Sequence, residues 1–272
     1  MKIGFLDSGM GGLSVMHRAF QKLPSASYIY YADVSHVPYG EKTIEQIRQY
    51  CDEAVGFMVD KGAKSIVIAC NTATSAAITF LRNKYQIPIV GMEPAIKKAV
   101  DYDNQRRILA LATPVTVRGE KMKRLVDKVG GQDIVDLLAT PELVRFAENG
   151  DFGSEEVMNY LEGIFEDIDF TRYSSVVLGC THFNYFKESM RKIIPESVIF
   201  VDGIEGTVNH LIHEIGMEEE MKEADYNKEM IDISGKIQET PVYFSGKLVE
   251  SEEEKIRVRS YFEQLDKVQK MT

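Results

Sequence analysis

Ser65-Ile66-Val67-Ile68-Ala69-Cys70-Asn71-Thr72 and Ser175-Val176-Val177-Leu178-Gly179-Cys180-Thr181-His182 share one pattern. Each reads serine, three aliphatics, a small residue, cysteine, then two polar residues. A short aliphatic run bounded by polar residues reads as a strand buried on both faces. Further strands at 3–6 and 108–112 precede the two segments at nearly the same offset. The pattern occurs only twice, about 110 residues apart, so it is an internal duplication and not a solenoid.

Outward from these segments, short apolar runs alternate with helical periodicity. Strands are expected at 28–32, 66–69, 87–90, 134–138, 176–178 and 198–201. Helices are expected at 13–23, 44–61, 74–84, 120–129, 141–149, 154–167 and near 186–193. Such alternation argues parallel sheets covered on both faces. The fold class is therefore α/β, with two similar lobes, each a mostly parallel sheet flanked by helices. The lobes are expected to be pseudo-two-fold related, with the site in the cleft between them. Residues 1–96 plus 208–272 are assigned to the first lobe and 97–207 to the second. The tail beyond 207 carries acidic runs at 218–220 and 250–254, a strand at 242–245 and a last helix, and no recognisable chemistry.

The 272 residues suit one large domain or two smaller ones. Acidic side chains number 42 against 32 basic ones, a net charge of −10. That surface repels phosphate backbones and anionic lipid, so neither nucleic acid nor membrane is an expected partner. No run is long enough to span a bilayer, and Asp7 interrupts any leader, which points to the cytoplasm. Three scattered cysteines make no disulfide framework, no C-x-x-C pair and, with the histidines, no metal-ligand spacing.

Cys70 and Cys180 both end a buried strand, the edge where open α/β sheets bind ligands. One cysteine there would read as packing; the same arrangement in both halves reads as chemistry. Helix N-termini expected just beyond them suit carboxylates and activate thiols. Cys51 lies on the apolar face of a helix and reads as packing. Asp7-Ser8-Gly9-Met10-Gly11-Gly12 follows the first strand and is neither a dinucleotide fingerprint nor a P-loop. Its glycines permit close approach to a ligand, while Asp7 and Ser8 offer an acceptor and a donor. Tyr39 and Gly40 in a turn, and Thr113 and Thr116 after the fifth strand, are further ligand candidates. Glu93 reads as an acidic wall or a helix start, and Glu148 lies near the end of its helix. His182, two residues from a thiol, is placed to activate it.

Leu6-Asp7-Ser8-Gly9-Met10-Gly11-Gly12, Val37-Pro38-Tyr39-Gly40-Glu41-Lys42, Cys70-Asn71-Thr72-Ala73-Thr74, Gly91-Met92-Glu93-Pro94-Ala95 and Gly179-Cys180-Thr181-His182 together resemble glutamate racemases, of the cofactor-independent aspartate/glutamate racemase superfamily. The resemblance runs in family order over residues 3–210. It implies a two-lobed enzyme that interconverts L- and D-glutamate and supplies D-glutamate for peptidoglycan. It implies Cys70 as the base toward the D isomer, Cys180 toward the L isomer, and Asp7 and His182 as their assistants. Ser8, Tyr39, Gly40, Asn71, Thr72 and Thr181 match substrate-binding positions, which Asp7 and His182 share. No metal and no cofactor are expected, and a homodimer is an open expectation. Phe183-Asn184 departs from the Tyr-Pro that many members carry there. An aspartate racemase of the same plan, a two-lobe dicarboxylate binder and a thiol redox protein are the competing readings.

Overall fold

The computed structural model describes residues 1–92, 94–220, 232–269 and 271. Glu93 lies outside them. The first sheet has six strands, in the spatial order Lys247–Leu248, Val242–Phe244, Ser27–Ala32, Lys2–Asp7, Ser65–Ile68 and Ile89–Gly91, and the second has four, in the order Val135–Ala139, Arg107–Ala112, Tyr173–Leu178 and Ile199–Val201. The first lobe runs β1 (Lys2–Asp7), α1 (Leu13–Lys22), β2 (Ser27–Ala32), α2 (Ile44–Asp60), β3 (Ser65–Ile68), α3 (Asn71–Lys84) and β4 (Ile89–Gly91). The second runs α4 (Ile96–Tyr102), β5 (Arg107–Ala112), α5 (Pro114–Arg118), α6 (Glu120–Lys128), β6 (Val135–Ala139), α7 (Glu142–Glu148), α8 (Glu155–Phe165), β7 (Tyr173–Leu178), α9 (Lys187–Arg191) and β8 (Ile199–Val201). Strands β1 to β4 and β5 to β8 have the same order and are parallel throughout, which is the duplication seen in the sequence.

Every residue of β3 and β7 is buried, as strands covered on both faces require. Beside the two thiols the local structure differs from the sequence reading, and helices α4 and α5 are additional to it. Helix α3 begins at Asn71, not 74, because Cys70 caps it: Sγ accepts the Ala73 N–H at 3.4 Å. After Cys180 a 3₁₀ helix spans Thr181–Phe186, and only then does α9 begin. Its thiol makes no such cap, so the two cysteines end their strands in different local structures.

The tail does more than expected. After α10 (Ile204–Ile215), α11 (Ile233–Glu239) leads to β9 (Val242–Phe244), which adds parallel to β2, and β10 (Lys247–Leu248) turns back antiparallel. The last helix, α12 (Glu252–Val268), lays Phe262 on Phe20, with ring centroids 5.8 Å apart. Both rings are buried, each worth about 2–3 kcal/mol relative to exposure. From there α12 crosses to the second lobe. Arg257 Nη2 donates to Glu148 O at 2.7 Å, Tyr261 Oη donates to Ala147 O at 2.5 Å, and Gln264 Nε2 donates to Tyr185 O at 2.9 Å. No helix among the described residues is long and apolar enough to cross a membrane.

Candidate active site

The register of the sheets puts the reactive residues at matching edges. Leu6 pairs with Ile68 and Leu111 with Leu178, so Ser8 and Cys70, two residues on, leave one sheet side by side, with Asp7 just before Ser8, as Thr113 and Cys180 leave the other. These are the points where strand order reverses, the usual crevice for ligands. The two edges meet. Thr181 Oγ1 donates to Asp7 Oδ2 at 3.1 Å, Thr72 and Thr113 hydroxyls lie 3.0 Å apart, and Tyr185 Oη donates to Met10 O at 2.8 Å.

Cys70 is 6% exposed, and its Sγ points at Ser8 Oγ, 3.8 Å away. Burial pushes its thiol up to about 12, the Asp7 carboxylate adds to that, and the Ala73 N–H opposes it. Burial outweighs the helix N-terminus here, so the resting group is the thiol. Asp7 is fully buried, with Oδ1 accepting from Gly9 N–H at 2.9 Å. Burial raises its carboxyl, and the neighbouring His182 works against that. Its hydrogen bonds thus run to Gly9 and Thr181, while those of Cys70 run to Ser8 and Ala73.

Cys180, equally buried, has a different companion. Its Sγ lies 3.5 Å from His182 Nδ1, and His182 Nε2 lies 2.6 Å from Glu148 Oε1. Nε2 is also 3.2 Å from Gly11 N. One ring nitrogen cannot both donate and accept in its plane, and the shorter contact to a carboxylate decides that Nε2–H donates to Glu148. Burial alone would lower the His182 value; Cys180 and Glu148 overcome it and hold the imidazole well above 6.5. Burial would raise Glu148, but His182, the Met10 N–H at 2.7 Å and Arg257 hold it below 4.5. The result is a carboxylate–imidazolium–sulfur chain, which gives Sγ a charged donor. Glu148, only weakly placed by sequence, is thereby the partner of His182.

Around the thiols stand polar groups able to hold a small anion. Asn71 is 3% exposed, and neither end of its amide has a hydrogen-bond partner among the described residues. Such a group is satisfied by a polar ligand or solvent. Thr72, Thr113 and Thr116 form one hydroxyl cluster across the lobes, with 3.0 Å between the last two. Tyr39 is buried and its hydroxyl donates to Asp33 Oδ2 at 2.7 Å, while Gly40 abuts Thr113. Cys51 is buried on α2, in the same apolar cluster as Tyr39 and Cys70. Among the described residues no cluster of His, Cys, Asp and Glu is placed to hold a metal.

Residues 7–211 match the family model described as Asp/Glu/Hydantoin racemase. The chain belongs to that family. It is 47% identical over the full length of both chains to a glutamate racemase of Lachnospira eligens. Among solved structures, it resembles Escherichia coli glutamate racemase, in complex with L-glutamate and the activator UDP-MurNAc-ala, with a TM-score of 0.73 and 30% identity over 79% of this chain and 82% of that one. It also resembles Francisella tularensis glutamate racemase in complex with D-glutamate, with a TM-score of 0.69 and 25% identity over 80% and 82% of the chains.

Gly11 tests how closely the lobes must approach. A Cβ there would sit 2.5 Å from Thr181 Oγ1 and 2.6 Å from His182 Nδ1. Gly11→Ala is expected to lower kcat/KM by about 10²-fold by displacing these groups by an ångström or so. Circular dichroism should meanwhile show the secondary structure intact.

Proposed function

We propose that this chain is a glutamate racemase acting by two bases, with Cys70 and Cys180 on opposite faces of the substrate α-carbon. The observation that carries the reading is the pair of free, buried thiols at equivalent edges of two equivalent sheets that close on each other. In one direction the Cys180 thiolate takes the α-proton of L-glutamate, leaving a carbanion and a thiol. The Cys70 thiol then gives its proton to the opposite face, leaving D-glutamate and a thiolate. The reverse reaction exchanges the roles.

Ser8, Asn71, Thr72 and Thr181 supply donors to the α-carboxylate, where charge develops in the transition state. Tyr39 and Gly40 close the other wall. The substrate ammonium offers a positive charge beside Cys70, whose thiol burial otherwise keeps neutral. Asp7, tied to Thr181, stays with the Cys70 side, and His182 serves the Cys180 side. On this reading residues 1–96 with 208–272, and 97–207, are the two lobes, α10 passing between them. The enzyme works in the cytosol and its D-glutamate goes to peptidoglycan.

The test is incubation in D₂O with L-glutamate and with L-aspartate, following α-hydrogen loss by NMR and rotation by circular dichroism. Exchange and loss of optical activity are expected with glutamate, and aspartate should be slower by about 10–200-fold, the usual worth of one methylene. A binding protein or a thiol redox protein gives neither signal, and faster turnover of aspartate would reassign the substrate.

A further inference from the structure

We propose that the C-terminal hairpin is part of the glutamate site, with Ser245 and Asp33 as positioning residues for Tyr39. This rests on reading Tyr39 and Gly40 as substrate-binding. The short 3₁₀ turn Tyr39–Glu41 carries Gly40 against Thr113 of the other lobe, and Glu41 ion-pairs with Arg145 of α7. The turn thus forms one wall where the lobes join. Its place is set by the Tyr39 hydroxyl on Asp33.

Asp33 is 3% exposed and follows β2 directly, its N–H donating to Asp7 O at 3.0 Å. That bond fixes its backbone to the strand that ends at the site. Its carboxylate receives three side-chain donors: Tyr39 Oη on Oδ2, His36 Nδ1 at 2.8 Å to Oδ2 and 2.9 Å to Oδ1, and Ser245 Oγ at 2.9 Å to Oδ1. Ser245 comes from the far end of the sequence. Its own N–H donates to Ala32 O at 2.8 Å, and its Oγ accepts from Ser35 N–H at 3.0 Å.

The turn chemistry singles out that hydroxyl. Ser245 and Gly246 are the two central residues between paired Phe244 and Lys247, with φ of 45° and 87°. Left-handed φ at both positions is the type I′ geometry, for which Asn, Asp or Gly is the preferred first residue. Serine bears a steric cost there that glycine does not. What serine adds is a hydroxyl on Oδ1 of Asp33. Without it one carboxylate oxygen keeps only His36, the carboxylate can rotate, and Tyr39 loses its fixed acceptor.

The decisive variant is Ser245→Gly, which relaxes the turn while removing the donor. Thermal unfolding should be unchanged or raised. KM for glutamate should rise about tenfold with kcat within twofold, the pattern for binding lost equally in ground and transition states. Ser245→Asn, which tolerates the left-handed turn and offers an amide donor, should recover part of the KM. In a Tyr39→Phe background Ser245→Gly should add less than twofold, because the two act through one carboxylate. A KM for Ser245→Gly within twofold of wild type overturns the inference, as does full additivity with Tyr39→Phe. Should the wild-type chain fail to exchange the α-hydrogen of glutamate, the proposed activity falls instead, a result visible before any variant is made.

Discussion

Cys70→Ala and Cys180→Ala are each expected to lower racemisation by at least about 10³-fold, within the range that general acid–base groups contribute. The fold should survive: each sulfur lies two residues beyond the end of its strand, not in a strand interior. The two variants should differ in what they retain. With Cys180 removed, Cys70 can still take and return the proton on its own face. D-glutamate should then exchange its α-hydrogen in D₂O without inverting, while L-glutamate does neither. Cys70→Ala should show the reverse. NMR reads exchange and circular dichroism reads inversion, so the two are separable. Racemisation near the wild-type rate from either variant would remove the two-base mechanism.

Glu148→Gln should be the next most damaging change. It leaves the shape in place but takes the charge from a buried pair whose side chains are 2% and 12% exposed. Removing one partner of such a pair costs about 3–5 kcal/mol, and the neutral amide that replaces the carboxylate places Glu148→Gln toward the low end. Turnover should fall about 10²-fold, because His182 loses the anion that keeps it charged and oriented beside Cys180. The pH dependence of stability follows from the directions of both shifts. His182 is raised above 6.5, so its contribution is complete below that value and fades as pH rises through its folded value. Glu148 is lowered below 4.5, so its contribution is complete above that value and is lost as pH falls through its folded value. Denaturant titrations should therefore show the wild-type advantage over Glu148→Gln greatest between these limits. A variant equally stable and equally active across that range would mean the pair is incidental.

Much of the fold was legible because both lobes rest on strands buried on two faces, whose uninterrupted aliphatics leave few alternatives. The paired pattern around Cys70 and Cys180 also marked the strand ends at which the two sheets meet, since a strand's carboxyl end is fixed once the strand is. Local structure just past the strands was harder to read. Asn71-Thr72-Ala73-Thr74 is weak helix sequence, and α3 starts there with Cys70 as its cap. Thr181–Phe186 tightens into a 3₁₀ turn whose every residue is buried, a consequence of packing against α7 and α12. Long-range polar contacts were invisible. Nothing in the periodicity of α7 says that its last residue meets His182, 34 positions on. Asp33 and Ser245 are 212 positions apart and meet because β9 chooses β2 as its neighbour.

The two sulfurs have unlike surroundings: one receives a backbone amide at a helix start, the other an imidazolium backed by a carboxylate. Mirror-image amino acids have equal free energy, so at equilibrium forward and reverse flux must balance whatever the protein does. An enzyme with dissimilar flanks can therefore run at different saturated speeds in its two directions only if its Michaelis constants differ by the same ratio. The chemical imbalance between the halves should surface as unequal deuterium isotope effects on the two saturated rates, never as a preferred handedness in the final mixture.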